Sequence, residues 1–205
     1  MASPDSPFQA PGPETHNRLI TAWSRGGRAD DLRRLIPVAS GEAVAHLYRV
    51  DGGVGEAMLW VEECGPDARS LEAQVAGGAT SSAEIFTFTL VRDVGVAPLS
   101  PAPWLYIVHT DIPDDIVDDY NAWYDEEHLP RLVSVPGVER ARRYVASGAL
   151  SPRYLTAYDL TIKDAFESPA GLKARKTPWT EKMRSLFYNT RRKMCAFQAE
   201  GSSLV

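Results

Sequence analysis

Residues 111–130 read Asp-Ile-Pro-Asp-Asp-Ile-Val-Asp-Asp-Tyr-Asn-Ala-Trp-Tyr-Asp-Glu-Glu-His-Leu-Pro. Asp114, Asp115, Asp118 and Asp119 suit a helix N-terminus, where carboxylates meet the positive end of the macrodipole. Ile116, Tyr120, Trp123 and Glu127 follow i, i+4, i+7, i+11 spacing and share one helical face, so Glu127 interrupts an apolar stripe. His128 lies at the edge of that stripe in the last turn, where a cation is favoured. Pro130 is expected to push Leu129 out of the helical region and end the helix. The stretch therefore reads as a helix from Asp114 to His128 that delivers a carboxylate and an imidazole at its end.

Working outward, Trp104 to Thr110 is apolar and β-prone, and Gly137 to Ala146 and Arg153 to Leu160 read as strands. Ser168-Pro169 and Thr177-Pro178 each read as a cap followed by a first-turn proline. The second opens a helix with Trp179, Met183, Leu186 and Phe187 on one face, and Arg192 to Gln198 closes the unit as a strand. The order is β, α, β, β, α, β. A Pro-rich stretch, residues 97–103, precedes this unit and favours an extended linker.

Residues 17–96 give the same order in a degenerate form. Arg18 to Ser24, Ala43 to Val50, Ala57 to Glu62 and Ala83 to Val91 read as strands, Asp30 to Ile36 as a short helix, and Pro66 to Ala76 as a helix stopped by Gly77-Gly78. Gly41, Ala45 and Tyr48 recur as Gly137, Ala141 and Tyr144 at one constant offset, which points to an internal duplication. A βαββαβ unit covers one sheet face with its helices and leaves the other bare. Two such faces can cover each other. The expected fold class is α+β: a ferredoxin-like repeat at 17–96 and another at 104–201, packed sheet to sheet as a barrel around a hollow for one small ligand, after a tail at 1–16.

Of 205 residues, 44% are apolar and 24% charged, ordinary for a globular chain. With 22 Lys+Arg against 27 Asp+Glu the net charge is -5, which supplies no broad cationic field for nucleic acid; Arg191-Arg192-Lys193 reads as a solvated turn or strand end. Cys64 and Cys195 are far apart and form no metal-ligand spacing, so a reducing, cytoplasmic setting without cofactor or metal is expected. The start of the chain has no signal-peptide pattern and no stretch approaches a membrane span, so neither membrane nor nucleic acid is an expected partner. Phosphate-loop, dinucleotide, nucleophile-elbow and zincin motifs are missing from the sequence.

The stretch Trp123 to Pro130, with Val135-Pro136-Gly137-Val138, Ala141-Arg142-Arg143-Tyr144, Arg153 to Tyr158 and Thr177-Pro178-Trp179-Thr180, resembles the EthD-like branch of the dimeric α/β-barrel superfamily. The resemblance covers about Trp104 to Ala199; the first half lacks the Trp-Tyr and Glu-His-Leu-Pro elements. It implies a barrel fold. It leaves the reaction open, because the superfamily includes polyketide cyclases, lactone isomerases, dehydratases, cofactor-free monooxygenases and haem-binding enzymes.

His128, expected with Glu127 at the mouth of the barrel, is the candidate acid/base, or alternatively a cap on the helix end. Asp125 and Glu127 either orient it, act as bases themselves in a desolvated pocket, or pair with Arg142 or Arg143. His109 shares the face of Leu105 and Ile107 and is a second acid/base candidate, a haem ligand or a strand-end histidine. His46 is the repeat counterpart of Arg142, and the two are expected to face the cavity from opposite halves. Tyr144 and Tyr158, then Trp123, Tyr124 and Tyr154, are the aromatic candidates for stacking on a planar ligand or steadying an oxyanion, with Tyr144 and Tyr158 first. The expected function is a cofactor-independent enzyme acting on a small oxygenated metabolite by proton transfer, giving isomerisation, cyclisation or dehydration. The alternatives are a non-catalytic ligand-binding module and haem or cofactor-free oxygen chemistry; a homodimer is a further possibility, since sheet edges can pair two chains.

Overall fold

The computed structural model describes residues 17–24, 32–33, 43–64 and 83–199. Eight strands form the frame: β1 (Asn17–Ser24), β2 (Ala43–Val50), β3 (Ala57–Cys64), β4 (Ala83–Gly95), β5 (Trp104–Asp111), β6 (Val138–Ala146), β7 (Tyr154–Leu160) and β8 (Tyr188–Phe197). They close into a barrel in the order β4-β1-β3-β2-β8-β5-β7-β6, and every pairing is antiparallel. Within each set of four the order is fourth, first, third, second, which is that of a ferredoxin-like sheet. The sets meet at two seams. At one, Tyr48, Arg49 and Val50 face Phe197, Ala196 and Cys195; at the other, β4 runs along β6 with a bulge between Leu90 and Arg92. The structure is α+β, an eight-stranded barrel of the dimeric α/β-barrel type within one chain.

Alternation along the strands decides what lies inside. Leu19, Met58, Trp60, Phe88, Leu105, Ile107 and Leu155, drawn from both sets, form one cluster and are almost wholly buried. Burial of each such side chain contributes about 1.5–3 kcal/mol, which favours closure over two separate open sheets. The expectation that two sheet faces shield each other holds. These large side chains meet in the middle of the barrel, and among the described residues a hollow opens at one end, beside Trp23, Phe86 and His109.

The outer face of β1–β3 buries Ile20, Ala22, Leu47, Leu59 and Val61 with Leu32. Of the expected helix 30–36 only Leu32 and Arg33 are described, and both are helical; the expected helix 66–76 lies outside the described residues. The outer face of β5–β8 carries α1 (Val117–Ala122), α2 (Leu129–Val133), α3 (Pro169–Ala174) and α4 (Pro178–Leu186). The expected caps are present: Ser168 Oγ accepts from the Gly171 N–H, and Thr177 Oγ1 from the Thr180 N–H. Gly137 holds φ +93°, and a Cβ there would lie 2.8 Å from Ile162 Cβ, so the turn into β6 requires glycine.

The helical stretch departs from expectation. A short 3-10 turn, Asp114–Ile116, leads into α1, and residues Trp123–His128 form a π-helical turn in which the Leu129 N–H reaches the Tyr124 carbonyl, five residues back. The helix does not end at Pro130: Leu129 keeps helical angles (φ -65°, ψ -47°) and α2 runs on to Val133. A proline ring ordinarily clashes with the carbonyl four residues earlier, and the widened turn relieves that clash. The same turn changes the buried face, so that Tyr120, Trp123, Tyr124 and His128 point into the core together and Glu127 turns to its edge.

Candidate functional site

The sheet separates the expected site residues into two groups. Trp123, Tyr124, His128 and Tyr158 lie on the outer face, beneath the helices, where they line a cavity of about 400 Å³. Arg142, Tyr144, His46 and His109 point into the barrel with Leu105, Ile107 and Tyr48. His128 is therefore not at the barrel mouth as expected; it faces the space between helices and sheet, because the sheet face covered by the helices is the face they present their side chains to.

At one end of the barrel interior the polar residues pair with one another, although Arg142 Nε is unpartnered among the described residues. Arg142 Nη2 donates to both carboxylate oxygens of Asp159 at 2.7 Å. Arg142 also pairs with Glu62, which accepts from Trp60 Nε1 and Tyr144 OH at 3.0 Å each. The guanidinium lies over the Trp60 ring, 5.1 Å from its centroid. Burial pushes the Asp159 carboxyl above its ordinary range despite Arg142 and Arg140 beside it. His46 shares this interior as expected, packed edge-on to Tyr48 and Phe197, and burial followed by the Arg142 charge lowers its pKa. Tyr144, placed first with Tyr158 among the ligand-stacking candidates, donates to Glu62 and, unlike Tyr158, does not line the helix-side cavity. Tyr154 is buried against Tyr120, ring centroids 5.0 Å apart, with the Arg153 guanidinium over its ring. This network ties β3 to β6 and β7 across the barrel.

The helix-side cavity is differently composed. Its wall is the buried Trp123, Tyr124, His128, Tyr158 and Phe166 with the half-buried Tyr106, and its rim carries Glu167, Arg175, Arg184 and Arg192. His128 is 5% exposed and its ring stacks on Trp123 at 4.1 Å between centroids. Its Nδ1 has no hydrogen-bond partner among the described residues. Burial lowers the His128 pKa to about 3, with Arg184 and Arg143 next in effect, so the ring is neutral at physiological pH. Trp123 Nε1 donates to Thr180 Oγ1 at 3.2 Å, and Thr156 Oγ1 to Tyr124 OH at 3.1 Å, which fix two walls of the cavity.

Three guanidinium groups face one carboxylate across the rim. Arg175 is engaged by Glu167 at 3.1 Å and by the Phe166 carbonyl at 2.6 Å, while its Nε is unpartnered among the described residues. The Arg184 pKa is lowered by burial and then by the charges of Arg175 and Arg192, the signature of cations crowded without enough counter-charge. Such a rim favours an anion or an oxygen that becomes one.

The two acidic candidates have other partners. Glu127 accepts from Thr177 Oγ1 at 2.6 Å and so anchors the π turn to the start of α4. Asp125 lies 3.5 Å from Arg92 and 3.8 Å from Arg143, the latter pairing expected from the sequence. His109 sits at the open end of the barrel, edge-on to Phe88 and Trp23. Tyr106, Arg175 and Arg184 escape sequence reasoning, since Tyr106 reads as one more apolar strand position and single arginines on α4 and in the connection before it give no periodic signal; Arg192, expected in a solvated turn or strand end, lies instead within β8 at the rim of this cavity. Among the described residues no three His, Cys, Asp or Glu side chains are placed to hold a metal ion, and no helix is long and apolar enough to cross a membrane.

No protein-family model matches the sequence, and no curated protein matches it. The fold is nevertheless similar to solved structures. A monooxygenase-like protein from Listeria innocua superposes with TM-score 0.61 at 14% identity, covering 91% of this chain and 96% of that one. An anthrone oxidase-like protein gives 0.59 at 11% identity, with 92% and 95% covered. A haem-degrading enzyme from Listeria monocytogenes gives 0.60 at 10% identity, with 88% and 99% covered. At these identities the likeness concerns the barrel.

Proposed function

We propose that the helix-side cavity binds a small, flat, oxygenated organic molecule and that His128 removes a proton next to its carbonyl. The observation that carries this reading is a neutral, buried imidazole with a free Nδ1 in a cavity of about 400 Å³ rimmed by Arg175, Arg184 and Arg192. That volume falls within the range of about 300–1,000 Å³ usual for small-molecule sites. The stretch Trp123 to Pro130, which resembles the EthD-like branch, supplies Trp123, Tyr124 and His128 to the wall.

In the step itself a C–H bond breaks, its proton moves to His128, and the electron pair passes to the carbonyl oxygen as an enolate. The guanidinium rim and the Tyr158 hydroxyl supply charge and a hydrogen-bond donor for that oxygen. A ring with pKa about 3 is a weak base in the free protein. An enolate forming beside it raises that value by opposite-charge attraction, so proton and enolate stabilise each other. Reprotonation at another carbon gives isomerisation or cyclisation. Reaction of the enolate with dioxygen gives oxidation, the direction suggested by the names of the monooxygenase-like and anthrone oxidase-like neighbours.

Haem enters through the name of another neighbour. A haem would be held by His128 through its free Nδ1, or by His109, the two histidines that line cavities among the described residues. A second reading, ligand binding without chemistry, is favoured by the low basicity of His128.

Anthrone separates the readings. In deuterated buffer under argon, the protein is expected to exchange the methylene protons of anthrone faster than buffer alone, and His128→Gln to lose about 10²–10⁴-fold of that rate. In air, oxygen uptake with one anthraquinone and one water formed per dioxygen marks the oxidative branch. Saturable binding with no exchange marks the binding module, and full exchange by His128→Gln places the base elsewhere.

A further inference from the structure

The space left inside the barrel is at its open end, a cavity of about 580 Å³ on the opposite side of the sheet from His128. It is lined by apolar surface from Trp23, Phe86 and Leu150 and by the cationic residues of β8, Arg191 and Lys193, with His109 and the carboxylates Glu56 and Glu84 also on its wall. Trp23 is held as a flat panel: its Nε1 donates to Thr21 Oγ1 at 3.1 Å, and Lys193 Nζ lies 5.5 Å from the ring centroid. Lys193 is paired with Glu56, whereas Arg191 makes no salt bridge among the described residues. Ser24 is 3% exposed, lines the same cavity, and its Oγ has no partner among the described residues.

A buried hydroxyl without a partner costs about 1–3 kcal/mol and is normally satisfied by something bound. Here that orphan shares a cavity with two aromatic faces, with Lys193, which Glu56 already engages, and with the guanidinium of Arg191, whose charge is felt by Asp111 but which is held by no carboxylate in a salt bridge among the described residues. An acidic head accounts for the hydroxyl and the guanidinium together; a flat body accounts for Trp23 and Phe86. We propose that the open end of the barrel is a second ligand site, taking a small flat carboxylate whose anion lies by Arg191 and Ser24 and whose ring lies against Trp23 and Phe86. His109 presents a neutral imidazole to this ligand, because burial and then Arg191 and Lys193 lower its pKa to about 4. The site does not depend on the chemistry assigned to His128. Arg192 borders both cavities and is therefore unsuitable for telling them apart, whereas Arg191 borders only this one and Arg184 only the other.

The test is calorimetric titration of the full chain with 2-naphthoate, and with uncharged 2-naphthamide as control. The expected result is saturable naphthoate binding that persists in Arg184→Gln, weakens at least tenfold in Arg191→Gln, and is blocked in Leu150→Trp, which fills the mouth from a loop. Circular dichroism establishes that each variant is folded. Naphthoate binding that is absent, that survives both Arg191→Gln and Leu150→Trp, or that is lost only in Arg184→Gln overturns the proposal. None of these outcomes bears on proton exchange from anthrone, so this site and the His128 site stand or fall separately.

Discussion

The imidazole of His128 lies parallel to the indole of Trp123, ring centroids 4.1 Å apart and planes 27° apart, because the π-helical turn brings residues five apart in sequence onto one buried face. An α-helix throughout would have set Glu127 against the sheet in its place. The packing of this pair links the local backbone irregularity to the chemistry proposed for the cavity.

Removing the panel behind the imidazole should be costly. Trp123 is fully buried and its Nε1 is bonded to Thr180 Oγ1. Trp123→Ala is expected to lose about 3–5 kcal/mol of stability, measured by urea unfolding, and Trp123→Phe a smaller part of it.

The anchoring of the π turn is a separate matter. Thr177 Oγ1 accepts from the Thr180 N–H and donates to Glu127, capping α4 and holding the turn together. Thr177→Val is expected to cost about 1–2 kcal/mol in the same measurement, while Thr177→Ser keeps most of the stability.

Inside the barrel, Asp159→Leu leaves Arg142 without one of its two carboxylates and is expected to cost about 3–5 kcal/mol. The double variant Arg142→Met/Asp159→Leu should be more stable than Asp159→Leu alone, since no charge is then buried without its partner. Thermal unfolding of the two variants side by side gives the order.

The buried histidines set a pH dependence. His109 and His128 have folded pKa values lowered to about 4 and about 3 by burial, and His46 is lowered as well. In the unfolded chain each imidazole takes up a proton near pH 6.5, whereas the folded chain resists it. Acid therefore favours the unfolded state: stability should fall as pH drops from about 7 to 4, by up to about 1.4 kcal/mol per pH unit for each histidine. His128→Gln should flatten this slope, read as the urea midpoint against pH; an unchanged slope would mean that His128 is protonated in the fold.

Much of the architecture was legible because strand alternation and proline-marked caps are local. Leu105, Ile107 and His109 read as one face, and Ser168 and Thr177 as caps, from spacing alone. Parity shows that two faces exist but not which of them meets the other sheet, so Tyr144 and Tyr158 were grouped although the sheet divides them. The π turn was hidden, since nothing in Trp123 to His128 departs from ordinary helical composition. The cationic rim was hidden too: Arg175, Arg184 and Arg192 converge from two elements and a connection, with no shared period. His46 and Arg142, at matching positions in β2 and β6, both lie inside the barrel, yet neither lines the cavity at its open end.

The most direct measurement is a diffraction structure of crystals soaked with anthrone under argon. The account predicts density for the three-ring skeleton in the helix-side cavity, its oxygen toward the rim of Arg175, Arg184 and Arg192 and its methylene carbon within reach of His128. Density confined to the barrel mouth beside His109, with the His128 cavity filled only by solvent, would contradict it.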